Sequence, residues 1–395
     1  MKAFRKLIFW LHLIVGIVTG VVVFIMSITG VALTYEKQMQ RWADGYEVEP
    51  PSFGAQPLGP AALLERARLQ NGKAPSGVTY ESDPEAPARI LYGRESVAVN
   101  PYTGATLGGG AESLDGFFGQ MTAWHRWLGQ QGEGRDVGKA LTGASNLGFL
   151  FIVVTGMYLW IPKRWSWQHL RPIVWFRGGL SAKARDFNWH NTMGLWCAIP
   201  LFFVVATAVF FSYPWANQAL YAITGEQQPA GRGGPPGRGG PGGPGGPGGR
   251  EGGPGRGGPR GGGEQQEIVL EGLDAAWTSA RAAVPRWKSL SFRPASKPGG
   301  EISVSADRGN GGQPQLRSTL TIDGASGEIL KEETFADQST GRRMRSYIRF
   351  LHTGEVFGWI GQTIAGVASL AACFLVYTGW MLSWRRFRAW QARRA

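Results

Sequence analysis

The chain carries five histidines: His12, His125, His169, His190 and His352. His12 lies inside a long apolar run, and glycines follow it four and eight residues later, at Gly16 and Gly20. His190 has Gly194 four residues on. Residues i and i+4 share one helix face, so each imidazole has a bare turn beside it. A flat ring bound to that imidazole needs such a turn. The same glycines also suit close helix packing, as small residues four apart do in membranes. Ionisable groups inside membrane spans mark function by default. His125 and His352 stand in aromatic segments just ahead of two other apolar runs. Two imidazoles at one level can close both axial positions of a haem iron, which favours electron transfer over oxygen binding. Facing helices hold such ligands rigidly. Depth in the membrane pairs His12 with His190 and His125 with His352. His169, in the polar stretch WSWQHLRP, is read as a surface histidine. Trp10, Trp124, Trp127, Trp189, Trp196, Phe350, Phe357 and Trp359 surround these positions. They are read as interfacial belt residues first and as pocket walls second.

The elements that must position these residues are four apolar runs: Leu7–Thr34, Leu141–Ile161, Met193–Tyr213 and Gly358–Trp384. Each reaches the ~20 residues that cross a bilayer core, and none contains Asp, Glu, Lys or Arg. The first run is about twice the length of a signal-peptide core and lacks an A-x-A site, so it is expected to be retained. Net charge is +13. A nucleic-acid partner is not expected, because the basic residues sit where membrane topology wants them. Lys163, Arg164, Arg171, Arg177, Lys183 and Arg185 lie between the second and third runs; Arg385, Arg386, Arg388, Arg393 and Arg394 follow the fourth. This bias places both termini and the basic loop in the cytoplasm. Residues 36–140 and 214–357 then lie outside. The two cysteines, Cys197 and Cys373, both fall in apolar runs, and no C-x-x-C-H attaches haem covalently. Spans without carboxylates, Lys or Arg disfavour an ion-coupled transporter. No G-x-G-x-x-G in a strand–turn–helix setting offers a nicotinamide or flavin site.

The outer segments contain a repeat. VAVNPYTGATL (97–107) and LTIDGASGEIL (320–330) each read as strand, Asx, turn, glycine, strand. A helical stretch precedes each, GPAALLERARLQNG (59–72) and LEGLDAAWTSARAAVP (270–285), which predicts a helix on a small antiparallel sheet, present twice. The expected organisation is 1–35 membrane helix 1; 36–116 first module; 117–162 outer histidine segment and helix 2; 163–188 basic loop; 189–213 helix 3; 214–228 connector; 229–263 a disordered Gly/Pro-rich linker; 264–340 second module; 341–384 outer histidine segment and helix 4; 385–395 basic tail.

The D/N-x-x-S/T-G-x-x-L hairpins resemble PepSY modules. With LHLIVGIVTG, WHRWLG, NWHNTMG and FLHTGEVFG in this order, the chain resembles the PepSY-associated transmembrane family. The resemblance implies a bacterial inner-membrane protein with periplasmic modules, and iron-linked function that includes haem-containing ferric-siderophore reductases. Residues and resemblance together give the expected fold class: a membrane α-helical protein of four transmembrane helices with two small α+β extracytoplasmic modules. The expected cofactors are two non-covalent haem b groups held by His12, His190, His125 and His352, with Gly16 and Gly194 giving them room. The expected activity is outward electron transfer from a separate reductase or membrane quinol to a ferric siderophore, an acceptor that rests on the resemblance alone. Arg342, Arg343, Arg345 and Arg349 are candidate contacts for haem propionates or an anionic chelate, or for lipid phosphate. Glu112, Asp115 and Glu355, near the outer histidines, are read as solvated first and as counter-charges second. The competing readings are a non-enzymatic scaffold or sensor and an accessory to haem or metal uptake.

Overall fold

The computed structural model describes residues 2–44, 48–93, 95–107, 112–162, 165–227 and 268–394. The expected linker 229–263, with Lys163 and Arg164, lies outside the described residues. In chain order the elements are helices α1 (Lys2–Leu33), α2 (Glu36–Asp44) and α3 (Pro60–Asn71); strands β1 (Gly77–Glu81), β2 (Ala88–Tyr92) and β3 (Glu95–Val99); helices α4 (Glu112–Trp127), α5 (Gly134–Trp160), α6 (Trp167–Val174), α7 (Ala182–Ser212), α8 (Pro214–Ile223) and α9 (Leu273–Ala283); strands β4 (Ser289–Arg293), β5 (Glu301–Asp307), β6 (Arg317–Asp323) and β7 (Ile329–Thr334); and helices α10 (Thr340–His352) and α11 (Gly358–Gln391). They form two units, one of Met1–Tyr35, Gln120–Pro235 and Tyr347–Ala395, the other of Glu36–Gly119 and Pro236–Ser346.

In the first unit, the four segments Ala3–Leu33, Gly134–Trp160, Ala182–Ser212 and Glu355–Gln391 are long and apolar enough to cross a membrane. α1 packs on α5 and α11, and α7 packs on the same two, so α1 and α7 occupy opposite corners of a four-helix bundle. Small residues let the backbones approach. A Cβ at Gly148 would lie 2.8 Å from Thr19, and one at Gly20 would lie 2.5 Å from the Trp380 indole. Inside, Val153, Leu201, Ala368 and Ala372 form an apolar core with Phe149, Cys197 and Leu375. Outward, Val18, Ile199 and Val367 are 74%, 64% and 58% exposed, the surface a bilayer would cover. Asn146 and Gln362 donate to the carbonyls of Val205 (3.1 Å) and Thr34 (3.2 Å), which satisfies amides buried between helices. At the far end of the bundle, buried Asp186 accepts from Arg185 at 3.0 Å and from Arg385, tying α7 to α11.

The helices outrun the apolar runs. α5 begins at Gly134 and not Leu141, α7 at Ala182 and not Met193, and α11 ends at Gln391 and not Trp384. Hydropathy marks where lipid must be faced, whereas a helix satisfies its own backbone in water too. His190 is therefore the ninth residue of α7, two turns inside it, and does not open the helix. The outer histidine segments are themselves helical, as α4 and α10.

The second unit holds both expected modules, but they share one antiparallel sheet of seven strands, ordered β3-β2-β1-β4-β5-β6-β7. The first strand of each module pairs with the other's: Val78 stands opposite Phe292 and Tyr80 opposite Leu290. A three-stranded module would leave both edges open, and joining through β1 and β4 removes one edge from each. Alternation is strict in β6, with every second residue buried. α3 and α9 cover the buried face, so Leu63, Leu64, Leu273 and Trp277 share one core with Val78, Ile90, Leu290, Phe292, Val304 and Leu320. The two turns match in detail. The Asn100 side chain accepts from the amides of Tyr102 and Thr103, and that of Asp323 from Ala325 and Ser326. These bonds hold the exposed Asp323 carboxyl below its usual range. Gly104 and Gly327 close the turns at φ +72 and +73, the left-handed conformation that side chains resist.

A shared core is testable. Phe292→Ala should cost about 3–5 kcal/mol, which accelerates amide exchange roughly a hundredfold or more in β1 as well as in β4. Acceleration confined to β4 and β5 would show that the halves do not share a core.

Candidate functional site

The four membrane-level histidines are held by one repeated device. His12, on α1, places Nδ1 2.9 Å from Thr155 Oγ1 on α5 and also bonds the backbone of Ile152. His190, on α7, places Nδ1 2.9 Å from Thr378 Oγ1 on α11 and bonds the backbone of Leu375. His125, near the end of α4, sets Nδ1 2.8 Å from Met26 O and 3.1 Å from Thr29 Oγ1, both on α1. His352, ending α10, sets Nδ1 2.8 Å from Val204 O and 3.4 Å from Thr207 Oγ1, both on α7. Each dock is thus a threonine and the carbonyl three residues before it, one dock on each long helix.

The residue after each threonine explains how an imidazole reaches a helix backbone. A Cβ at Gly156 would lie 3.3 Å from His12 Cε1, one at Gly30 3.3 Å from His125 Cε1, and one at Gly379 3.5 Å from His190 Cε1. A larger side chain would displace the ring. The fourth dock has Ala208, and there the hydroxyl distance is the longest of the four, 3.4 Å.

The docks also fix the proton. Thr155, Thr378, Thr29 and Thr207 donate their own hydroxyl protons to the carbonyls one turn back, those of Phe151, Phe374, Ile25 and Phe203, at 2.6–2.8 Å. The hydroxyl and carbonyl facing each Nδ1 therefore act as acceptors, and Nδ1 carries the hydrogen. Nε2, on the far side of the ring, keeps its lone pair. Among the described residues none bonds it.

Two pairs result. The rings of His125 and His352 lie 6.3 Å apart between centroids, at 61°, with Phe211 edge-on to His352 at 5.2 Å. His12 and His190 come from the opposite corners α1 and α7 and lie within electrostatic reach of each other. All four rings are half-buried: one side docks and the other stays free. Two nitrogens at about 2 Å from one metal put their ring centroids roughly 6 Å apart. Among the described residues no group of three or more His, Cys, Asp or Glu is placed to hold a metal ion. Pairs of lone imidazoles do not suit a bare zinc, which takes three or four protein ligands. They suit iron whose equatorial positions a macrocycle already fills.

Gly16 and Gly194 face neighbouring helices. A Cβ there would sit 3.9 Å from Ile152 Cδ1 and 3.8 Å from Leu375 Cδ2, the very residues whose carbonyls dock His12 and His190. His169 is exposed and bonds Ser166 at 2.6 Å. Among the outer arginines, Arg342 reaches Glu333 at 3.4 Å, Arg343 reaches Thr340 at 3.4 Å, and Arg349 lies over the Phe350 ring. Arg345 stands one turn before Arg349 on α10. Asp115 accepts from Gln40 at 2.9 Å, while the Glu112 side chain is outside the described residues. Glu355 is 9% exposed, contrary to its reading as solvated, because the tight turn Glu355–Phe357 folds it under α11.

Sequence reading missed the docks. The signal was there: apolar-x-x-Thr-Gly at 26–30, 152–156 and 375–379, and Val-x-x-Thr-Ala at 204–208, one per apolar run. His12 to Thr29 and His190 to Thr207 are both seventeen residues apart. A family model described as the PepSY-associated TM region matches residues 9–386, which takes in all four docks and their histidines. No curated protein matches the sequence significantly.

Proposed function

The chain belongs to the PepSY-associated transmembrane family, and from that premise we propose that it is a di-haem membrane protein carrying electrons outward to reduce a ferric siderophore. The observation that carries the reading is the repeated dock, which leaves an Nε2 lone pair free on each of four imidazoles grouped in two pairs. Haem b, when bound at each pair, supplies a one-electron iron couple. His12 and His190 would hold it at one level, and His125 and His352 at the other.

The chain's own groups prepare these ligands. An Nδ1–H bonded to a carbonyl makes Nε2 more basic and fixes the ring plane. The levels are seventeen residues apart along α1 and α7, about 25 Å at 1.5 Å per residue, close to the ~30 Å hydrocarbon thickness. Between them, the apolar core around Val153, Leu201, Ala368 and Ala372 excludes water. Arg171, Arg177, Lys183 and Arg185 before and within the start of α7, and Arg385, Arg386 and Arg388 at the end of α11, favour a cytoplasmic location for those ends. On this reading the His12–His190 level faces the cytoplasm, the sheet unit lies outside it, and the family resemblance makes the membrane the bacterial inner membrane. Electrons enter from a separate reductase or membrane quinol. At the outer face reduction loosens iron, since hard oxygen chelators hold Fe(II) less tightly than Fe(III).

The purified protein should show a Soret band and two haems per chain. His12→Ala or His190→Ala should remove one haem, and His125→Ala or His352→Ala the other. Absence of any Soret band would leave a scaffold as the reading. Thr378→Val, which keeps the volume and removes the acceptor, should weaken retention of the inner haem about 10–100-fold, while Thr378→Ser restores it. Equal retention in both variants would remove the hydroxyl from the site.

A further inference from the structure

Three guanidiniums gather beside the outer histidine pair, and two of them come from residues that no cluster in the sequence advertises. Arg126 follows His125 directly, near the end of α4. Arg135 is the second residue of α5. The chain returns between them through Leu128 (φ +53), Gly129 (φ +72) and Gly132 (φ +56). Gly138 then fits against Trp127 O, where a Cβ would come within 2.1 Å, and Thr142 Oγ1 donates to Arg126 O at 3.0 Å. This locked turn brings both side chains onto one indole: Cζ of Arg135 is 3.8 Å and Cζ of Arg126 4.8 Å from the Trp127 ring centroid. Arg349 lies three residues before His352 on α10. Arg135 and Arg349 both lie within electrostatic reach of Arg126.

Arg126 and Arg135 are half-buried and Arg349 is exposed, and a patch of like charge favours anionic oxygens beside it. The turn after His352 also buries the Glu355 carboxylate. A guanidinium pairs a carboxylate through two parallel N–H bonds, and stacking on an indole fixes its plane beforehand. We propose that Arg126, Arg135 and Arg349 form the seat for the two propionate carboxylates of the porphyrin held between His125 and His352. This inference rests on the di-haem reading. It narrows the arginine-rich stretch of α10, in which Arg342 and Arg343 bond Glu333 and Thr340, and it adds Arg126 and Arg135.

The test uses the full chain carrying His12→Ala and His190→Ala, so that only the outer haem is read. Arg126→Gln, Arg135→Gln and Arg349→Gln should each weaken haem retention on the order of tenfold and lower the haem midpoint potential. The corresponding lysine variants should retain most of the binding, and an unchanged far-UV spectrum shows that each variant folds. Iron protoporphyrin dimethyl ester, which lacks the carboxylates, should bind the parent more weakly and lose nothing further in the glutamine variants. Equal losses for haem and for its ester would overturn the proposal. So would unchanged haem retention with lost binding of ferric citrate, which would give the seat to carboxylates of an external chelate. A wild-type chain with no Soret band would instead sink the di-haem reading, and this inference with it.

Discussion

An imidazole N–H inside a membrane bundle must find an acceptor, and a helix offers few. Its carbonyls already accept from amides one turn on, so only a second lone pair is available. Reaching that lone pair means coming close to the backbone, and any Cβ on the approach is an obstacle. A threonine followed by glycine meets both needs. The hydroxyl supplies a second acceptor while sending its own proton back along its helix, and the glycine clears the way for Cε1. Ring orientation, tautomer and the free Nε2 all follow from that contact. The bundle's order follows as well, since every dock joins two elements: α1 to α5, α7 to α11, α4 to α1 and α10 to α7.

The same joints expose a duplication. Each half of the chain runs from a helix with an inner histidine and an outer dock, through a helix-and-hairpin module, to a short helix ending near an outer histidine, and then to a helix with an inner dock. The equal spacing from His12 to Thr29 and from His190 to Thr207 belongs to this repeat. The matched turns at Asn100–Gly104 and Asp323–Gly327 belong to it too. In the sheet unit the halves meet through equivalent strands, β1 against β4. In the bundle, His12 with His190 and His125 with His352 are equivalent residues brought together. One arrangement, two copies face to face, thus accounts for a single sheet and for paired imidazoles.

What the sequence made legible follows from how rare each feature is. Long runs without charge are uncommon enough to fix four spans, and a histidine inside such a run stands out. Helix ends were not legible, because hydropathy records contact with lipid and α7 continues eleven residues beyond its apolar run. The docks were hidden by abundance: glycine and threonine are ordinary in membrane helices, and the eye goes to Gly16 and Gly194 beside the histidines, not to Gly156 and Gly379 across from them. The union of the two modules joins Val78 to Phe292, a pairing between distant residues that no local pattern records. Arg342 to Arg349 drew notice as a cluster, whereas Arg126 and Arg135 meet only after the chain turns at Leu128.

The polar groups inside the bundle also bear on what it can carry. Asn146 and Gln362 are spent on backbone carbonyls, and the dock threonines donate within their own helices. The buried carboxylate Asp186 is held by Arg185 and Arg385 at one end of the bundle, and Glu355 is buried in the turn that opens α11 at the other. A proton relay needs groups that take up and release protons along the path. These amides and hydroxyls are fixed as donors, and the four imidazoles each hold one proton against a carbonyl. Such an interior is built to keep its protons still, which is what a bundle needs if its cargo is the electron.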